Sequence, residues 1–155
     1  KLSAEIAMLR RHIEAQIDAE GPDHAILVLG DLNDGPAADL LEDEFLLHNI
    51  IDQLVGTILA PETRLRHAMT DDVLATSTTT RFHNPLKDGA LTEELIDHML
   101  ISDGLATGCA GVLFRPGSCA VDRAAWEAQN AEADDQDIRQ LRPSDHLPVS
   151  GIVAF

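Results

Sequence analysis

Leu2, Ile6, Leu9, Ile13 and Ile17 recur at steps of three or four, and shortly afterwards the pattern changes to an unbroken apolar run, Ala25-Ile26-Leu27-Val28-Leu29. The first pattern predicts an amphipathic helix, because a 3.6-residue period gathers those positions into one stripe. Glu5, Arg10, Glu14 and Asp18 lie between them. Gly21-Pro22 supplies the stop. The second pattern is short and is closed by Gly30, so it reads as a buried strand. A helix followed by a buried strand points to an α/β layer arrangement.

The remainder supports one domain over residues 1–155, with no internal repeat and no interdomain linker. Gly35-Pro36 predicts a second helix with Pro36 in its first turn, and Leu40, Leu41, Phe45 and Leu46 as its core contacts. Thr57 to Thr76 follows neither a two-fold nor a helical period, and it holds the densest basic group, Arg64, Arg66 and His67. Thr78 to His83 is rich in β-branched residues and predicts a strand. Asn84 to Gly89 reads as a loop, and Leu95 to Ile101 as another strand. Asp97 is an ionisable group inside that otherwise apolar run and calls for an explanation. Gly111 to Phe114 predicts a third strand, ended by Arg115-Pro116-Gly117. Val121 to Trp126 reads as a short helix, Glu127 to Asp137 as a mobile acidic loop, and Leu147 to Phe155 as the final strand.

Composition narrows the function. The net charge of −16 argues against a broad basic footprint for duplex nucleic acid, which needs Lys and Arg at the phosphates. Phosphate chemistry stays open, since a metal ion can supply positive charge inside an acidic protein. Most of the carboxylates are read as solubilising surface. No apolar run approaches the ~20 residues that span a bilayer. The segment Lys1 to Glu20 does not read as a signal peptide, and its lack of an initiator Met suggests a start inside a longer protein. Cys109 and Cys119 have no zinc-type spacing. Two unpaired thiols are favoured over a disulfide between them.

Three clusters place carboxylate, amide or imidazole groups beside predicted strands: Gly30-Asp31-Leu32-Asn33, Ile96-Asp97-His98 and Ser144-Asp145-His146. Asp31 follows a strand, at the sheet edge where open α/β folds hold ligands. A carboxylate can bind a hard cation or take up a proton, and a neighbouring amide such as Asn33 can donate to a phosphate oxygen without titrating. By itself Gly-Asp-x-Asn reads as a turn, because Asp, Asn and Gly are turn formers. Asp145-His146 alone reads as a solvated pair, and Asp97 alone as a strand-edge residue. His98 points to the opposite face from Asp97 by the two-residue alternation of a strand. Taken together the clusters suggest more. Asp97 and His146 form a carboxylate–imidazole pair suited to acid–base work, and Asp145 remains to bind a divalent cation through oxygen.

In this order, these motifs resemble the signature of the endonuclease/exonuclease/phosphatase superfamily, which has the DNase-I-like fold. They are Gly30 to Asn33 after a strand, Ile96 to Ser102 on a strand, and Ser144 to Val149 before the last strand. The resemblance covers nearly the whole chain. It implies half of a four-layer α/β/β/α sandwich, a mixed, mainly antiparallel sheet with covering helices, corresponding to the C-terminal half of the family's domain. It implies hydrolysis of phosphate esters with Mg2+ or Mn2+. Asp31 would align or activate the attacking water, Asn33 would contact the phosphate, Asp97 would orient His146, and His146 would bind or protonate the phosphate. Asp145, with Asp31 and Asn33, would form the metal side of the site.

The family's first half also carries a metal-binding Glu, an Asn and a further His or Tyr at the phosphate, for which this sequence offers no counterpart. The expectation is therefore weak or absent hydrolysis by this chain alone. Its sheet would expose an apolar face, open to the missing half or to self-association. The substrate class is a phosphate ester, nucleic acid included. Arg64, Arg66, Arg81 and His83 are read as solvated side chains, with substrate contact as the alternative. A non-catalytic binding or interaction module on the same fold is the other functional reading.

Overall fold

In a computed structural model, which describes residues 2–35, 49–84, 88–124, 144 and 146–155, the first helix, α1, runs Leu2–Glu20. Ile6, Ile13 and Ile17 are buried along it. It ends where predicted: Gly21 N–H donates to the Ile17 carbonyl at 2.8 Å, with Gly21 at φ 97°, a conformation glycine tolerates best. Arg10, one of the intervening polar residues, is also buried, at 8% exposure. Its guanidinium donates to the Leu54 carbonyl and to both oxygens of Thr63, at 2.8–3.1 Å. Leu54 lies in the last turn of α2 (Ile50–Val55), where helix carbonyls lack partners and a cation is favoured.

The central sheet is antiparallel and three-stranded, in the order β1-β5-β2. Strand β1 is Leu27–Asp31, β2 is Leu65–His67 and β5 is Asp97–Ser102. Ser102 ties it to its surroundings. Its hydroxyl donates to the His24 carbonyl at 2.7 Å and accepts from Ile26 N–H at 2.9 Å. It also caps α4 (Asp103–Thr107). Three two-stranded antiparallel ribbons complete the strands. They pair β3 (Thr80–Asn84) with β4 (Ala90–Glu94), β6 (Leu113–Phe114) with β9 (Val153–Ala154), and β7 (Ala120–Val121) with β8 (Val149–Ser150). The result is a mixed α/β protein with small antiparallel sheets and few helices.

Two apolar clusters lie on either side of β5. Leu100 joins Ile6, Ile13, Ile17, Ile51, Leu54 and Leu65 on the α1 side, with Val28 packed against them. Ile101 joins Met69, Leu95, Leu105, Phe114 and Cys119 on the other, with Met99 and Val149 against them. This second cover is incomplete. Leu29 is 61% exposed and Leu27 38%, so β1 is not the buried strand its apolar run predicts. Only its α1-side face, at Val28, meets the core.

Other expectations change for local reasons. The segment 57–76 resolves into a 3-10 turn at Pro61–Thr63, strand β2 and helix α3 (Asp71–Thr76), each too short to impose a period. Strand β4 was not predicted, because Ala-Leu-Thr-Glu-Glu is half polar and lies in a ribbon with little burial. Val121 pairs with Val149 in β7, and helical backbone begins only at Arg123 and Ala124, two residues later than expected. The final strand breaks at Gly151, where a Cβ would lie 2.4 Å from Phe114 Cζ. Each half of it pairs with a different partner. Pro36, Leu40, Leu41, Phe45, Leu46, Trp126 and the acidic segment 127–137 lie outside the described residues. Cys109 and Cys119 are free thiols, the first exposed and the second buried. Among the described residues no helix is long and apolar enough to cross a membrane.

Candidate functional site

The β1–β5 register assembles the first part of the site. Asp31 pairs with Asp97, Gly30 with His98 and Leu29 with Met99. Directly opposed residues of an antiparallel pair share a face, so Asp31 and Asp97 stand together at one end of the sheet. Opposed like charges destabilise a sheet unless each is compensated. Here each carboxylate takes a hydrogen bond.

Asp97 takes its bond from His146. The imidazole Nδ1 lies 2.8 Å from Asp97 Oδ2, and both side chains are half-buried. This contact joins residues 49 apart in the chain. The backbone around both residues is also held. Leu147 N–H donates to the Thr79 carbonyl at 2.7 Å, and His146 N–H donates to Ser144 Oγ at 3.0 Å. The N–H groups of Ile96 and Asp97 both reach Thr79 Oγ1, at 3.0 and 3.2 Å. With Nδ1–H committed to the carboxylate, the acid–base capacity of the ring falls to Nε2.

Asp31 takes its bond from Asn33, whose backbone N–H donates to Asp31 Oδ1 at 2.8 Å. Asn33 sits at φ 53°, in the left-handed region that Asn tolerates. The chain therefore turns after β1 instead of staying extended, and the turn reading of Gly-Asp-x-Asn holds. The loop is anchored from behind. Asp34 Oδ2 accepts from Ile50 N–H at 2.6 Å, Asn49 Nδ2 donates to the Gly35 carbonyl at 3.1 Å, and His98 Nε2 donates to the Asp34 carbonyl at 2.9 Å.

His98 is 2% exposed and faces away from Asp97, as alternation requires. The edge-to-face neighbour of its ring is His67, with centroids 5.5 Å apart. Nδ1 of each ring is buried, with no hydrogen-bond partner among the described residues. Burial, and then the neighbouring His98, lower the pKa of His67 to about 4, with Asp52 opposing.

A cavity of about 260 Å³ opens beside the pair, lined by Leu29, Met99, Pro148 and Val149 on its apolar side and by Asp97 and His146 among its polar groups. It offers an acid–base pair next to a surface suited to an apolar portion of a ligand. Asp31 and Asn33 are exposed at the same end of the sheet but do not line the cavity.

Asp145 lies outside the described residues. Among those described, no three His, Cys, Asp or Glu side chains form a metal-binding group. A hard divalent cation takes about six oxygen ligands, protein and water together. The Asp31 carboxylate, with Asn33 turned beside it, does not make such a shell, so the described residues do not fit a magnesium or manganese centre by themselves. The four basic residues read as solvated, Arg64, Arg66, Arg81 and His83, are exposed. Arg66 pairs with Asp103, Arg81 lies 3.7 Å from Glu93, His83 Nδ1 lies 2.8 Å from the Gly89 carbonyl, and Arg64 is exposed.

Two residues escaped the sequence reading. Strand alternation puts His98 on the face away from Asp97, and from there it anchors the Asp31–Gly35 loop. An imidazole on the covered face of a strand was the available signal. Thr79 is fully buried and bonds to the backbone beside both Asp97 and His146. Nothing in Thr78-Thr79-Thr80 distinguishes its middle member. No known protein family, curated protein or solved structure matches the chain.

Proposed function

We propose that this chain carries the carboxylate–histidine portion of a phosphate-ester hydrolase site, in keeping with the endonuclease/exonuclease/phosphatase resemblance of its motifs. The observation that carries the reading is the 2.8 Å contact between His146 Nδ1 and Asp97 Oδ2. It brings two of the three motifs together, and the resemblance implies the roles of the pair. Asp97 holds the imidazole as the Nδ1–H tautomer, and Nε2 exchanges the proton. Water attacks phosphorus and gives its proton to the Asp31 carboxylate, the ester P–O bond breaks, and Nε2, protonated in the form that reacts, gives its proton to the leaving oxygen. Asp31, opposite Asp97, aligns the water, and Asn33 contacts the phosphate. The same proposal includes a half-sandwich fold completed by a second half, and dependence on Mg2+ or Mn2+ with Asp145, Asp31 and Asn33 on the metal side.

The test is hydrolysis of bis-p-nitrophenyl phosphate, p-nitrophenyl phosphate and plasmid DNA, with magnesium or manganese and with chelator. It is run on this chain and on a form extended at its N-terminus. Activity lost with chelator is expected, stronger in the extended form. His146→Ala is expected to abolish it. Asp97→Asn is expected to reduce it by much of the roughly 10²–10⁴-fold that a positioned acid–base group contributes. Unchanged turnover in His146→Ala sinks the proposal. One observation favours the second reading, a non-catalytic interaction module: Leu29, beside the site, is 61% exposed. Absence of hydrolysis in both forms, on all three substrates, would favour that reading.

A further inference from the structure

We infer that Thr79 is the positioning residue of the Asp97–His146 pair, a role that rests on the acid–base reading above. The two members of the pair belong to distant segments, and each needs its backbone fixed for a 2.8 Å contact to persist. Thr79 reaches both. Its Oγ1 accepts the N–H groups of Ile96 and Asp97 at 3.0 and 3.2 Å, which sets where β5 begins and so where Asp97 projects. Its carbonyl accepts Leu147 N–H at 2.7 Å, and its own N–H donates to the Glu94 carbonyl at 2.8 Å. One fully buried residue thus ties the segment before β3 to the start of β5 and to the residue after His146.

The hydroxyl has a distinct part in this. The carbonyl bond to Leu147 survives any side-chain change, whereas the two bonds at Asp97 need an acceptor on the side chain. Valine has nearly the volume of threonine but no such acceptor. It would leave two N–H groups without their partner and free the start of β5 to shift. Buried groups stripped of a partner carry the full desolvation cost, so the shift is favoured over staying in place.

The experiment compares Thr79→Val, Thr79→Ser and Thr79→Ala in the full chain by nitrogen-15 NMR of the imidazoles and by hydrolysis in the form found active. The His146 ring is assigned by its absence in His146→Gln. In the native protein, its nitrogen shifts should report a proton held on Nδ1. Thr79→Val and Thr79→Ala should lose that tautomer signature while keeping a cooperative melt. Their hydrolysis should fall at least ~10-fold, part of the roughly 10²–10⁴-fold available to a positioned acid–base group. Thr79→Ser should restore both. Retention of the signature and the rate in Thr79→Val, or in Thr79→Ala if the valine variant does not fold, overturns the inference. Loss of both in Thr79→Ser also overturns it, because the hydroxyl would then not be the operative group. If the native protein hydrolyses nothing, the hydrolase reading fails, and the tautomer signature still decides the role of Thr79.

Discussion

His67 is an imidazole in a place that suits only its neutral form. Burial and the His98 ring bring its pKa down to about 4, and Asp52 compensates in part. The sign of the consequence follows from proton counting. The folded chain protonates this ring near pH 4 and the unfolded chain near the ordinary value of about 6.5. Between those values the unfolded state binds more protons, so stability rises with pH. The contribution of His67 is complete above about pH 6.5 and is lost as pH falls through about 4. Urea midpoints at pH 7 and pH 4.5 should differ accordingly, and His67→Phe should narrow the difference. A His67→Phe protein with the same pH dependence would assign acid sensitivity to other groups. His67 packs against His98, and His98 holds the Asp34 carbonyl. The same acid range should therefore loosen the loop that carries Asp31 and Asn33.

Helix α4 sits close against the segment that enters β1. A Cβ on Gly104 would lie 1.9 Å from the Asp23 carbonyl oxygen, and backbone on both sides leaves no soft side chain to yield. Gly104→Ala is expected to cost at least the roughly 1–3 kcal/mol of an overpacked core, read as a lower urea midpoint. An unchanged midpoint would mean that the helix can back away. Contacts of this kind set the limit of what sequence discloses. Helix α1 was legible because its period repeats over several turns and Gly21 stops it. In the candidate site, the contact of Asp97 with His146 was legible, because it depends on side-chain type. The site was opaque where backbone bonds matter, at Thr79, whose importance lies in which N–H groups happen to reach it. The apolar run of β1 misled because hydrophobicity does not reveal whether a second layer covers Leu27 and Leu29. Strand β4 and the break at Gly151 went unseen because two-residue and half-polar strands owe their existence to their partners rather than to a pattern of their own.

Across the whole molecule the excess of acidic groups, a net charge of −16, makes self-repulsion the leading long-range term. Salt shortens its reach to about 10 Å at 0.1 M. The melting temperature should rise as sodium chloride is raised from near zero to 0.15 M, at about 2–4 °C for each kcal/mol of relief. A fall would mean that ion pairs such as Arg10 with Glu14 outweigh repulsion. The arrangement of β5 between β1 and β2 has a different consequence, one of timing. Ile26 and Ser102, joined through the Ser102 hydroxyl where β1 begins, are 76 residues apart along the chain. Closing so long a loop precedes any reward from the pairing and slows it, whereas a helix such as α1 can form in about a microsecond. After dilution from denaturant, helical signal should therefore return first. The end of the sheet where Asp31 meets Asp97 should come into being later, so that a newly made chain is folded in part before those two carboxylates face each other.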